Sequence, residues 1–536
     1  MAAPVPRPAA TLALLRDAPE GPEVLMLQRT KDAVFLGGAY VFAGGSLDPA
    51  DADPRIAKRI LGSIDDADLP YYVAAMRECF EEAGMLLACD AQGRQIDAAQ
   101  AARLMAFRNE SFVRMLEAED LYLPAGELAF IGHWITAPGR ARRFDTRFFL
   151  AAAPAGQQGS NDANETVHDV WIRPRDALER AERGEIELVH ATKQTLNEFK
   201  SFEKVAEALR HARALPRPES NRACWAKGKE GPKIFRRADP QYFEIHWCDP
   251  EESGESSYDL VPGEPKRLDR WVTRLTAPNP GMMTGPGTNT YIVGEGELAV
   301  VDPGPDVASH IEKLSKFNIK WILCTHTHMD HSPAAAALKA ATGAQLLGRP
   351  APEGQDASFK PDFVVENGQR IAIGAVTLRA IHTPGHASNH LCYLLEETRM
   401  LFTGDHVMQG STVVINPPDG DMRAYLASLE RLLAEDIAII APGHGYLIGA
   451  PHKEVRRLIA HRLGRESKVL KHLTSLKEAS LEELVVLVYD DVPARLHRVA
   501  ARSLTAHLDK LVAEGAVRAA GGRFALVQSL PQRSAP

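Results

Sequence analysis

The sequence predicts a multidomain α/β protein, on three observations. The chain has 536 residues, too many for one ordinary hydrophobic core. Short apolar runs closed by Gly or Pro alternate with stretches of helical periodicity over most of its length. One stretch, "LPRPESNRACWAKGKEGPK", carries Pro, Gly and charge without periodicity and divides the chain into two such blocks. The expected organisation is an α/β unit over 1–214, a linker and irregular segment over 215–265, a second α/β unit over 266–455, and a helical domain over 456–536.

Composition narrows the class. Hydrophobic residues make up 45% and charged residues 25%, the balance of a soluble globular chain. Lys plus Arg number 62 against 70 for Asp plus Glu, a net charge of −8, so global charge gives no support for a nucleic-acid partner. The six cysteines are scattered, with no CxxC pair, which suits free thiols in a reducing cytoplasm. The N-terminus has no long apolar core with a cleavage site, and no apolar run reaches about 18 residues. The expectation is a cytoplasmic protein with no membrane contact.

In the first block, "TLALLR" and "EVLMLQRT" read as strands joined by a Pro/Gly turn. "YYVAAMRECFEEAGMLLA" has helical periodicity. "ELAFIGHWITAP" and "RRFDTRFFLAAAP" predict a further hairpin, "RPRDALERAERGEI" a helix entered through proline, and 192–214 a closing helix. The tail, "SLTAHLDKLVAEGAVRAAGGRFALV", predicts a helix and then a short hairpin across Gly521 and Gly522.

The chemistry concentrates in "CTHTHMDHSP", Cys324 to Pro333. "KWILC" before it reads as a strand. "SPAAAALKAATG" after it reads as a helix, with Ser332 as the expected N-cap and Pro333 in the first turn. His326, His328, Asp330 and His331 therefore fall in a strand-to-helix loop. Alternation aims His326 and His328 the same way, while Asp330 and His331 face a second point, so the cluster divides between two ions, each short of ligands. Later loops offer the rest: His386 in "IHTPGHAS", Asp405 in "MLFTGDHV" and His444 in "IIAPGHGY", each after an expected strand. Imidazole and carboxylate ligands suit zinc, with manganese or iron less well matched. His382, His390 and His452 are expected to be structural or surface residues, His406 to line the pocket, "GPGTNTY" to form one rim, and Asp302 in "VDPG" to make a structural turn.

The series HxHxDH, PGH, GD and PGHG resembles the metallo-β-lactamase superfamily. The resemblance implies an αββα sandwich. It implies two Zn²⁺ ions, one held by His326, His328 and His386 and the other by Asp330, His331 and His444, with Asp405 bridging and Asp330 also catalytic. Water between the ions would be activated for attack. "GPGTNTY", "THTHMDHSPAAAAL", "TPGHASNHLCY", "GDHVM", "PPDGDMRAYLASLERL", "APGHG" and "HRLGRES" are similar to the lactamase-β-like-protein-2 branch. That branch implies single-stranded-RNA endoribonuclease activity and a C-terminal winged helix, which the tail from about Leu481 fits. Hydroxyacylglutathione hydrolases share the metal motifs, but their glutathione-binding basic residues are not placed convincingly in this tail.

A second cluster stands on "AAMRECFEEAGMLL". On a helix, Glu78, Glu81 and Glu82 fall at i, i+3 and i+4 and share one side. Three carboxylates so close call for a cation, and hard oxygen ligands suit Mg²⁺ or Mn²⁺ bridging to substrate phosphates. "RECFEEAGM" resembles half of the Nudix box and "FAGGSLDPAD" its glycine-rich start, so the resemblance implies a Nudix α/β/α fold. Glu78, Glu81 and Glu82 carry over as metal ligands, with Glu82 catalytic. Arg77 would orient the helix, and Gly44, Gly45 and Gly84 would shape the loops. The box departs from its usual form: about 25 residues separate Asp51 from Arg77, and Asp51 stands where Glu is usual. A long insertion of this kind resembles the coenzyme A diphosphatase-like branch.

The expected function is a two-headed metal-dependent hydrolase. The Nudix domain would cleave a small-molecule diphosphate such as a coenzyme A-like compound. The dinuclear site would cleave a phosphodiester in single-stranded RNA or a thioester; the ligand motifs do not distinguish these. The alternative is that the Nudix domain is a non-catalytic ligand sensor or RNA-docking module regulating a single metallo-hydrolase.

Overall fold

The computed structural model describes residues 4–30, 37–108, 110–139, 142–159 and 166–527. Two compact units divide them. The first runs up to Trp225 and takes back Ile234–Arg237 and Glu252–Gly254; the second holds Ala226–Lys233, Ala238–Glu251 and the chain from Glu255 onward.

In the first unit one mixed sheet is built from Arg7–Arg16 (β1), Glu23–Arg29 (β2), Tyr40–Val41 (β3), Ala43–Ser46 (β4), Ala129–Ile135 (β5), Phe144–Ala152 (β6), Thr166–Ile172 (β7) and Ser220–Arg222 (β8). The strand order is β3-β2-β1-β6-β5-β8, with β4 added against β1 and β7 against β2. Strand alternation sends Leu12, Leu14, Leu25 and Leu27 to one face and Ala13, Leu15, Val24 and Met26 to the other. The first face packs on Leu69–Ala83, which follows the short helix Pro54–Ala57 (α1) and is here α2, and on Ala98–Leu104 (α3) and Phe112–Ala118 (α4). The second face packs on Pro174–Glu182 (α5), His190–Phe199 (α6) and Val205–Ala214 (α7). The result is an α/β/α sandwich.

Two expectations change here. The single helix over 192–214 is two, α6 and α7. Asp17 accepts a hydrogen bond from the Val205 N–H at 3.0 Å and so gives α7 its own start. The helix expected to reach Ala88 stops earlier. Gly84 closes α2 in the left-handed conformation, φ 64°, and the Leu86 N–H is taken by Gln157 at 2.9 Å.

Residues 215–265, expected as an irregular linker, contain β8, Cys224–Ala226 (β9), Lys233–Phe235 (β10), Tyr242–Cys248 (α8) and the start of Pro265–Arg267 (β11). Distant partners order this segment. Glu244 of α8 is completely buried and pairs with Arg274 and Lys266, each at 2.6 Å. In the first unit, Glu252 pairs with buried Arg143 at 2.8 Å and with Arg222.

Two large sheets of the second unit face each other. The first follows chain order through β11, Val272–Thr276 (β12), Asn289–Glu295 (β13), Glu297–Val301 (β14), Ile319–Leu323 (β15), Gln345–Gly348 (β16) and Phe363–Val364 (β17). The second comprises Arg370–Ile373 (β18), Val376–His382 (β19), Leu391–Leu395 (β20), Met400–Gly404 (β21) and Ile439–Pro442 (β22). Tyr291, Val293, Val301 and Leu323 of the first meet Leu378, Tyr393, Phe402 and Ala441 of the second in one core. The outer faces are covered by Ala308–Leu314 (α9) and Ala334–Thr342 (α10) on one side. Met422–Leu432 (α11) and Pro451–Leu476 (α12) cover the other. This is an αββα sandwich. Ser332, expected to cap α10, instead donates its hydroxyl to Asp356 at 2.7 Å, and Pro333 holds the cap position.

After α12 come Glu478–Ser480 (β23), Leu481–Val488 (α13), His497–Ala513 (α14), Val517–Ala520 (β24) and Arg523–Leu526 (β25). The three strands pair in the order β23-β25-β24. Gly521 and Gly522, φ 57° and 76°, make the two-residue hairpin turn. Leu484, Leu504 and Leu508 pack with Val469 of α12 beneath them, giving a winged helix. Among the described residues, no helix is long and apolar enough to cross a membrane.

Candidate functional site

The strand ends of the second unit deliver the polar residues. His326, His328, Asp330 and His331 follow β15, His386 lies between β19 and β20, Asp405 follows β21, and His444 follows β22. Ligand atoms of His326, His328 and His386 lie within 4.8 Å of one another, and so do those of Asp330, His331, Asp405 and His444. His386 Nε2 stands 3.0 Å from His328 Nδ1. Asp405 spans the two groups: its Oδ2 is 3.7 Å from His386 Nε2, and its Oδ1 is 3.4 Å from His331 Nε2 and 3.3 Å from His444 Nε2. Asp330 is 3.3 Å from His444 and 3.5 Å from His331.

The two groups differ electrostatically. Burial holds His326, His328 and His386 below the ordinary histidine range, His328 at about 4. The shift favours the neutral imidazole, the form that binds a cation. His331 and His444 are also buried, but the carboxylates beside them outweigh burial and raise both, His444 to about 9. Four ligand atoms here are buried without a hydrogen-bond partner: Nε2 of His326, His331 and His444, and Oδ1 of Asp405. Such orphaned atoms are costly unless something binds them, so the donor set fits metal ions.

Four of the five rings are held from behind. His331 Nδ1 pairs with Asp302 at 2.9 Å, and Asp302 also accepts from the N–H and hydroxyl of Thr325. The Thr325 hydroxyl in turn meets His326 Nδ1 at 3.0 Å. His386 Nδ1 donates to the Val414 carbonyl at 2.8 Å, and His444 Nδ1 to the Gly287 carbonyl at 3.2 Å. Such partners fix tautomer and ring direction. Asp302, expected as a structural turn, has a φ of 55°, and its carboxylate orients a ring of the site. In "GPGTNTY", expected to form one rim, the Asn289 side chain donates to the Pro442 and Gly445 carbonyls and holds the His444 loop. His390 is buried and stacks on His326 with ring centroids 5.0 Å apart; His406 is buried against Tyr425. His382 bonds the Ser388 carbonyl. A Cβ at Gly443 would stand 2.8 Å from both Asp405 Oδ1 and His331 Cε1. Met329, between His328 and Asp330, is exposed, as are Met282 and Met283 in the loop that leads to Gly287.

In the first unit the insertion closes on itself. Arg77 reaches Asp51 through Nε at 2.8 Å and Nη2 at 3.0 Å, and its Nη1 meets Glu78 at 2.9 Å and Glu81 at 2.7 Å. Glu82 turns to the loop and accepts from the Gly44 N–H at 2.8 Å. A Cβ at Gly45 would lie 2.5 Å from the Glu78 carboxylate, so only glycine allows this approach. Burial raises the Glu78 carboxyl to about 7 against the pull of Arg77, with Glu81 adding to the rise. The three glutamates thus share one end of α2 but do not converge: Arg77 occupies Glu78 and Glu81. Among the described residues, they form no group like the two of the second unit.

Comparisons with known proteins agree with this layout. Residues 283–444 match the metallo-beta-lactamase superfamily, 480–524 the beta-lactamase associated winged helix domain, and 54–194 the NUDT19 Nudix domain. The chain is 31% identical over 265 residues to a beta-lactamase-like protein 2 homolog of Caenorhabditis elegans, a match covering 47% of this chain and 88% of that protein. It is 33% identical to thioesterase pkgB of Emericella nidulans, covering 42% of this chain and 66% of that protein. A NUDIX hydrolase structure from Alicyclobacillus acidocaldarius is 32% identical, covers 40% of this chain and 99% of its own, and superposes with a TM-score of 0.35. A chain with these motifs in this order, most of the length of such a relative and a Nudix domain before them belongs to the metallo-β-lactamase superfamily, as a hydrolase with an N-terminal Nudix domain and a winged-helix tail.

Proposed function

We propose that the second unit is a dinuclear metal hydrolase acting on a thioester, and the first a divalent-cation-dependent hydrolase of a small diphosphate such as a coenzyme A derivative. The observation that carries the second-unit reading is the set of buried ligand atoms without a hydrogen-bond partner on His326, His331, His444 and Asp405. His326, His328 and His386 would hold one ion, Asp330, His331 and His444 the other, and Asp405 would contribute to both. Mixed imidazole and carboxylate donors suit zinc. When bound, such ions supply Lewis acidity and bring the pKa of water toward neutrality. The chain's own contribution is orientation: Asp302, Val414 and Gly287 fix three rings from behind. Asp330, the carboxylate with 27% of its side chain open, would take up a proton from the attacking water.

Two observations favour a thioester: relatives named thioesterases, and the exposed methionines Met282, Met283 and Met329, flexible apolar side chains that adapt to an acyl chain. In the first unit, Glu78, Glu81 and Glu82 would hold Mg²⁺ or Mn²⁺ once the cation displaces Arg77 from its carboxylates. Cleavage of single-stranded RNA is the second reading. Arg498 and Arg502, exposed one turn apart on α14, and exposed Arg518 on the wing favour it. Turnover of acyl-coenzyme A thioesters and of a single-stranded RNA oligomer, by metal-loaded and metal-stripped protein, separates the two. Turnover of neither substrate overturns both readings.

A further inference from the structure

The loop after Asp405 ties the C-terminal helices to one histidine of the site. Three consecutive residues are gripped in turn. The Val413 carbonyl accepts from Nη2 of Arg462 on α12. The Val414 carbonyl accepts from Nδ1 of His386 at 2.8 Å. The Ile415 N–H donates to the hydroxyl of Ser503 on α14 at 3.2 Å. Arg462 and Ser503 are both buried. Among the described residues, Arg462 has no carboxylate partner; its guanidinium lies 5.3 Å from the Tyr425 ring centre, and the Tyr425 hydroxyl donates to the His406 carbonyl, next to Asp405. A buried cation without a counter-ion is costly to keep. Both structures it touches are the backbone supports of site loops.

We propose that Ser503 and Arg462 are positioning residues for metal binding, acting through the Val413–Ile415 strap on His386, so that the winged helix shapes the three-histidine half of the site. This rests on the reading that His326, His328 and His386 hold an ion. A ligand histidine is aimed by the partner of its other ring nitrogen. For His386 that partner is a main-chain carbonyl, which has no side chain of its own to fix it. Its position depends on the bonds made by the residues on either side, and those come from α12 and α14. The other half has supports outside this strap, Asp302 behind His331 and Gly287 behind His444. Loss of the Ser503 hydroxyl therefore affects one half.

The test is a Co²⁺ titration of metal-free, full-length protein, followed by visible absorption and chelator competition to give two binding constants. Ser503→Ala should weaken one equivalent about tenfold, in the range for lost partners of ligand histidines, and leave the other within about twofold. Ser503→Thr, which keeps the hydroxyl, should restore the parent value, and Arg462→Met should weaken binding. Leu508→Ala, in the winged-helix core, should lower the melting temperature without moving either constant. If Arg462→Met does not fold by circular dichroism, the Ser503 pair decides alone. The inference is overturned if Ser503→Ala binds both equivalents like the parent, or if Leu508→Ala weakens Co²⁺ as much. A His386→Ala protein that keeps both equivalents, or a parent that binds none, overturns the site reading itself.

Discussion

Arg77 and Asp51 form a two-pronged ion pair, 2.8 and 3.0 Å, across 26 residues of chain. The pair pins the glycine-rich loop to α2 although an insertion lies between. Asp51→Asn should destabilise the first unit by roughly 3 kcal/mol, because it leaves a largely buried guanidinium with an incomplete partner set. The freed Arg77 should hold Glu78 and Glu81 more tightly and weaken Mg²⁺ binding. Thermal unfolding and Mg²⁺ titration check this; unchanged values for both would show the pair to be incidental.

Glu82→Gln should abolish diphosphate hydrolysis and leave the second unit's activity at its parent level. The side chain keeps its shape and its contact with the Gly44 N–H but loses its charge. Assaying both activities on one preparation settles the point. Equal loss of both would mean that the two-site description is wrong.

Asp405→Ala should cost more than His386→Ala, since it removes a ligand from both positions and leaves two cations less screened. Metal content should fall below one ion per chain and turnover by orders of magnitude. His386→Ala should lose about one ion. His382→Ala, whose ring bonds only the Ser388 carbonyl among its described hydrogen-bond partners, should keep both. Metal analysis of the three variants ranks them; an emptied site in His382→Ala would sink the ligand assignment.

Glu244 gives a pH signature. Burial alone would raise its carboxyl, but Arg274 and Lys266 outweigh it and bring it down to about 2 from 4.5. A depressed carboxyl contributes stability above its unfolded value and loses it as pH falls through the folded one. Glu244→Gln should therefore cost the second unit about 3 kcal/mol at neutral pH, with the difference from the parent shrinking between about pH 4.5 and 2. Denaturant melts across that range measure it. A gap that stays constant with pH would rule out the ion pair as its source.

The site was legible where a short motif sits at a strand end. His326, His328, Asp330 and His331 need only one strand and one helix to be aimed, and both are written beside them. The supports were not legible. Asp302 reads as a turn because its partner His331 lies 29 residues on. The Val414 carbonyl has no side-chain signature. Glu244 sits in a Pro- and Gly-rich segment whose order comes from Arg274, 30 residues away. The break between α6 and α7 depends on Asp17, 188 residues before Val205. Local periodicity carries no trace of such long-range caps.

Gly443 makes the main chain one wall of the candidate site, since any side chain there would strike Asp405 and His331. That wall leaves no room for adjustment: a change of residue displaces a ligand before it can reshape a pocket. The exposed tips carrying Met282, Met283 and Met329 have no such constraint. A change in what this centre accepts is therefore expected to come from the exposed tips, with the floor left as it is.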